Sequence, residues 1–102
     1  MRGRFIVIEG IDGSGKSTMA ARVAAELGRR GRRVLRTREP GGTSLGEKIR
    51  ALLLDARNSE MVPLTELFLY MASRAQLVDE IIRPALRSGA DVVCDRYYYS
   101  TA

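Results

Sequence analysis

The chain has 102 residues, is 45% hydrophobic and 28% charged, and carries a formal net charge of +5. That length supports one modest core and one domain, and the composition is that of a soluble globular chain. It has no histidine and a single cysteine, Cys94, which excludes His-based triads, His-ligated metal sites and an intrachain disulfide.

A lone thiol fits a reducing cytoplasm. The apolar run "FIVI" beside Arg2 and Arg4 is too short for a signal segment. No stretch approaches the ~20 apolar residues needed to span a bilayer, so no membrane partner is expected. All but two of the 17 basic residues are arginine. They are scattered, apart from "RRGRR" at 29–33, and no aromatics interleave with them. That pattern favours sites for phosphorylated small molecules over a nucleic-acid surface. Nucleic-acid binding through the "RRGRR" run competes with its plainer reading as a solvated helix end, where arginine also suits the C-terminal dipole.

Along the chain, "RFIVIEG" (4–10) reads as a buried strand ended by glycine. Residues 16–31 read as a helix, with Met19, Val23 and Leu27 in line and Gly31 as a stop. "RVLRTRE" (33–39) reads as a second strand and "PGGT" (40–43) as a loop. Residues 44–55 carry a helical stripe of Leu45, Ile49, Leu52 and Leu53, and 56–63 form a polar connection. Residues 64–89 are helical in period, with Pro84 expected to bend the helix and Gly89 to end it. "ADVVCD" (90–95) reads as a third strand. Alternating strands and helices predict a parallel sheet with crossover helices, an α/β fold. Ligands bind such sheets beyond the carboxyl ends of the strands, where Gly10, Arg38 and Asp95 fall.

The run Gly10-Ile11-Asp12-Gly13-Ser14-Gly15-Lys16-Ser17 matches G-x-x-x-x-G-K-[ST] in full, between a predicted strand and helix. Its glycines let successive N–H groups turn inward on phosphate oxygens, and the following helix adds its positive dipole end. Lys16 sets a compact charge on the β- and γ-phosphates, and the Ser17 hydroxyl suits the shell of Mg²⁺. Thr18 completes the phosphate-binding set. A plain connecting turn would account for Gly10 and Gly13 but not for Lys16 and Ser17 in series. Asp95, at the end of an apolar strand, suits a magnesium-associated acid; the plainer reading is a loop cap.

A phosphate loop alone does not separate a switch GTPase, a motor ATPase and a small-molecule kinase. The chain has no Asn-Lys-x-Asp base-reading motif. A kinase needs a second anionic site, and Arg38, Arg74 and Arg96 are its candidates, since planar arginine suits bidentate phosphate or base-edge contacts. Here the chain resembles a family. "IEGIDGSGKST", "TREPGGT", "YMASRAQ" and "CDRYYYSTA" occur in the order and spacing of thymidylate kinases, the bacterial type in particular, over essentially the whole chain.

The resemblance implies transfer of the γ-phosphoryl of ATP to dTMP, with Mg²⁺. It implies a P-loop nucleoside monophosphate kinase fold, a doubly wound parallel sheet with flanking helices, and a homodimer at full length. By the same resemblance, Asp12 accepts the deoxyribose 3′-hydroxyl, Arg96 of "DRY" holds the dTMP phosphate and Arg38 of "REPGG" shares acceptor contacts. Arg74 reaches the thymine edge, and Tyr70, one turn earlier, stands where the family usually has a stacking phenylalanine. Gln76 is a weaker candidate. Phe68 sits off that face and is expected in the core. Tyr97, Tyr98 and Tyr99 either crowd the 2′ position or pack, and Cys94 is expected to be an inert core thiol. Some relatives carry an arginine inside the phosphate loop, where this chain has Gly13 and Ser14; bacterial relatives supply the cation from a later lid. Family members run well past residue 102, so the single kinase domain at 1–102 is expected to be its N-terminal part, without lid and C-terminal strands. The competing readings are a kinase of another monophosphate and a nucleotide-binding module without transfer.

Overall fold

Three parallel strands form one sheet in the order β1-β3-β2 in the computed structural model, which describes residues 2–11 and 16–98. β1 is Phe5–Ile11, β2 is Val34–Glu39 and β3 is Asp91–Tyr98. From β1 the chain steps two places across the sheet to β2, through α1 (Lys16–Arg29). From β2 it steps back one place to β3, through α2 (Ser44–Leu54), α3 (Pro63–Leu77), a π-helical turn (Val78–Ile82) and α4 (Arg83–Arg87). Right-handed crossovers running in opposite directions put their helices on opposite faces. That makes the sheet doubly wound.

The packing agrees with this geometry. Val92 and Cys94 of β3 meet Leu77 and Ile82, with Val78, Ile81, Ala85 and Leu86 around them. Val93 alternates to the opposite face and is equally buried, on the side where α1 brings in its buried Ala20. The crossover from β2 begins at Thr43, whose side chain caps α2 by accepting from the Gly46 N–H at 2.8 Å.

Some boundaries differ from the sequence reading. β3 runs three residues past Asp95, so Asp95 and Arg96 lie within the strand rather than at its tip or after it. The reason is pairing: β1 continues to Ile11, and Gly10 and Ile11 partner Tyr97 and Tyr98. The expected single bent helix is divided. Pro84 has no N–H to offer the Glu80 carbonyl. The chain accommodates this just upstream, where the Arg83 N–H donates to Val78, five residues back. Gly89, at φ +91°, closes α4: its N–H donates to Leu86 and the Ala90 N–H to Ala85, the paired bonds of a Schellman closure. α1 closes in the same way at Gly31.

The apolar stripes also need correction. In α1 it is Ala20, not Met19, that is fully covered; Met19 is exposed. In α2, Gly46, Ile49 and Leu53 are buried, while Leu45 and Leu52 are exposed. Phe68, expected in the core, is 60% exposed. The two sides of α3 differ in burial. Ser73 and Leu77 turn inward, whereas Leu64, Leu67, Phe68 and Met71 repeat at helical spacing outward.

Candidate active site

Parallel pairing aligns the strands near their carboxyl ends in two successive levels. Ile8, Asp95 and Arg38 stand abreast, and Glu9, Arg96 and Glu39 stand abreast one residue later. Side chains alternate between faces. The first level therefore faces the α1 side, with Val93, and the second faces the α3 side, with Cys94. Beyond them β1 ends at Gly10 and Ile11, and α1 begins with Lys16, Ser17 and Thr18. The amino end of α1 thus lies at the sheet's carboxyl edge, where helix N–H groups attract anions. Asp12, Gly13, Ser14, Gly15 and Tyr99 lie outside the described residues.

On the first level, Asp95 is 8% exposed and its Oδ1 has no hydrogen-bond partner among the described residues. Its Oδ2 lies 3.8 Å from the Arg36 guanidinium. A recess of about 340 Å³ opens here, lined by Arg36, Thr37, Arg38, Gly42 and Asp95. A buried carboxylate oxygen without a donor is what a hydrated cation would satisfy, so Asp95 fits a magnesium-associated acid. Arg38 is held by Glu47: its Nε donates at 3.1 Å, and the Gly42 N–H donates to the same carboxylate at 2.8 Å. The Arg38 bonds keep the Glu47 carboxyl below its ordinary value, against partial burial and with help from Gly42.

The loop after β2 lies close to its surroundings. The Gly41 N–H donates to the buried Ser73 Oγ at 2.9 Å. Gly42 has φ +84°, and a Cβ there would stand 2.5 Å from Thr37 Oγ1 and 2.7 Å from Leu77 Cδ1. Only glycine permits both the backbone and the contact. The loop thereby carries α2, and with it Glu47, back beside Arg38.

The second level is an ionic cluster built on Glu39, which is 3% exposed. Arg74 Nε donates to Glu39 Oε1 at 2.6 Å. Arg96 donates to Oε2 through Nε at 3.1 Å and Nη2 at 2.8 Å. Arg96 Nη1 also donates to Glu9 at 2.8 Å. Burial pushes the Glu39 carboxyl up, but the hydrogen bonds from Arg74 and Arg96 outweigh it and the net shift is downward. Cys94 Sγ lies 3.6 Å from Glu39 Oε2. Burial, reinforced by Glu39, pushes this thiol up to about 12, which makes it inert.

Of the sequence-predicted residues, Arg74 and Arg96 come together on one carboxylate, with the half-buried Tyr70 one turn before Arg74. Arg38 lies on the other face of the sheet, at the level of Asp95. Gln76 donates to Glu80 at 2.8 Å on an exposed surface. The sequence reading missed Glu39, Glu47, Arg36 and Ser73. Glu39 had a signal, being a carboxylate inside "REPGG" between two strand-end arginines. Glu47 had none, because only the turn at Gly41 and Gly42 sets it beside Arg38.

A doubly wound parallel sheet whose first strand is followed in sequence by G-x-x-x-x-G-K-S and a helix defines, in part, a P-loop kinase fold. Within that class the chain belongs to the thymidylate kinase family, whose model, described as "Thymidylate kinase", matches residues 8–102. The chain is 58% identical over 99 residues to the thymidylate kinase of Geobacter sulfurreducens, covering 97% of this chain and 46% of that one. To the thymidylate kinase of Trichlorobacter lovleyi it is 54% identical over 97 residues, covering 95% and 46%. It is similar to the crystal structure of thymidylate kinase from Ehrlichia chaffeensis, with a TM-score of 0.82 at 40% identity over 95% of this chain and 55% of that one. The chain spans about half the length of the curated relatives it matches. No helix among the described residues is long and apolar enough to cross a membrane.

Proposed function

We propose that the whole protein is a nucleoside monophosphate kinase that transfers the γ-phosphoryl of ATP to dTMP, giving dTDP, in the cytoplasm. The observation that supports this reading is the grouping at one edge of the sheet of the end of β1, the start of α1, an Asp95 oxygen without a partner among the described residues and the arginines of both levels. Family membership supports dTMP as the acceptor.

In this reading Gly10 to Thr18 hold the ATP phosphates, with Lys16 on the β- and γ-groups. Ser17 and Asp95 would hold Mg²⁺, whose charge would neutralise the phosphate oxygens. Arg96 and Arg38 bring the acceptor phosphate into line, Tyr70 and Arg74 select the base, and Asp12 takes the 3′-hydroxyl. An acceptor phosphate oxygen forms the new P–O bond as the bond to the departing ADP oxygen breaks. The acceptor dianion has no proton to lose, so positioning and charge neutralisation suffice without a strong base.

The full-length protein acts as a homodimer in this reading. The outward stripe Leu64, Leu67, Phe68 and Met71 supports it, because such a contiguous apolar face is costly to leave in water.

The test is equilibrium binding of dTMP, dUMP, dGMP, AMP and CMP, with and without Mg-ATP, to this chain and to a version extended to its relatives' length. Preference for dTMP is the expected result. ATP binding with no preferred monophosphate in the extended version would refute the acceptor assignment.

A further inference from the structure

We infer that Glu39 is a positioning residue: its one carboxylate sets the directions of Arg74 and Arg96 together, and so couples base selection to phosphate binding at the acceptor site. The inference rests on the acceptor reading above for the roles of the two arginines, and on geometry for the coupling.

Glu39 is paired with Arg96 across the β2–β3 ladder, so the backbone register brings the two side chains to one face. Arg74 arrives from α3 on the same face, 35 residues away in sequence. The carboxylate divides its oxygens, Oε1 to Arg74 and Oε2 to both nitrogens of one edge of Arg96. Its side chain is only 5% exposed, against 44% for Arg74 and 17% for Arg96. The anion is therefore the fixed point and the cations are its more exposed arms. Each guanidinium has further N–H groups beyond those on Glu39, since arginine carries five donors in a planar fork.

Two other features tie Glu39 down. The next residues, Pro40 and Gly41, are buried, and Gly41 is hydrogen-bonded to Ser73 on α3. The buried Cys94 Sγ lies 3.6 Å from Oε2. A carboxylate fixed by strand, loop and helix can aim two arginines whose own stems are long and flexible.

The test uses the chain at the full length of its relatives and calorimetric affinities for dTMP, thymidine, dCMP and ATP. Two ratios matter: dTMP over thymidine reads Arg96, and dTMP over dCMP reads Arg74. In Glu39→Gln one acceptor oxygen becomes an amide donor facing a guanidinium. Both ratios should fall by about tenfold or more, as expected for hydrogen bonds to charged groups, while ATP affinity stays unchanged. Partial unfolding scales every ligand alike and leaves the ratios intact. Unchanged ratios in the variant would overturn the inference. Should Glu39→Gln fail to fold, Glu39→Asp keeps the charge but withdraws it by one methylene; both ratios should again fall, and unchanged ratios again overturn it. A wild type that shows no preference for dTMP overturns the acceptor reading, and this inference with it.

Discussion

Asp91 has no exposed surface and yet is charged. Arg32 donates to it twice, at 2.9 and 2.7 Å, and the Arg4 N–H once, at 2.8 Å. These bonds hold its carboxyl down at about 2. A depressed folded value means the stabilisation is complete above the unfolded value of about 3.9 and is lost as pH falls toward 2. Acid titration followed by circular dichroism should show that loss in wild type. It should be weaker in Asp91→Asn, which starts less stable at neutral pH; identical acid profiles would count against it. Cys94 makes a second prediction. A thiol raised to about 12 and fully buried should not react with a disulfide reagent at pH 8 until denaturant is added. Rapid native labelling would mean that β3 opens.

At the element scale, the turn from β2 into α2 positions more than its length suggests. Thr43 caps α2, and removing a cap of this kind costs about 1 kcal/mol. Thr43→Ala should lower stability by that amount in urea titration. Gly42→Ala should cost more: a left-handed backbone alone costs an alanine about 1–2 kcal/mol, and the methyl would overlap Thr37 and Leu77. An equal or smaller loss at Gly42 would mean that the loop relaxes freely, and that Glu47 is not held against Arg38 by this turn.

For the molecule as a whole, the α2–α3 pair carries an apolar face that the described residues leave exposed. The radius of gyration is 14.6 Å, where a compact chain of this length would have about 13 Å. The outward stripe of α3 lies on this pair. Phe68→Glu in the full-length protein should shift sedimentation from dimer to monomer while leaving the circular dichroism spectrum unchanged. A dimer that survives the substitution would place the interface elsewhere. β1 has only one neighbouring strand among the described residues, and its Phe5 is 41% exposed. A further strand beside it would bury that edge. β1 amides should therefore exchange hydrogen faster in this chain than in the extended version; equal protection would argue against added pairing there.

The phosphate-loop expectation could be formed from the sequence because it is local. Gly10 to Ser17 carry their meaning in consecutive residues: a glycine-rich turn needs no distant partner to cradle a phosphate. Strand and helix periods likewise follow from alternation within a few residues, which is why the three strands and the helical segments fall where expected, with the long helix divided near Pro84. The tertiary structure decided what depends on contacts between distant segments. Only the ladder sets Glu39 beside Arg96 and carries β3 on past Asp95. Only packing against the rest of the chain selects Ser73 and Leu77 for burial over the apolar Leu64, Leu67, Phe68 and Met71. Single-sequence periodicity measures how a side chain recurs along its own element, whereas burial and charge pairing are set by what another element brings to it.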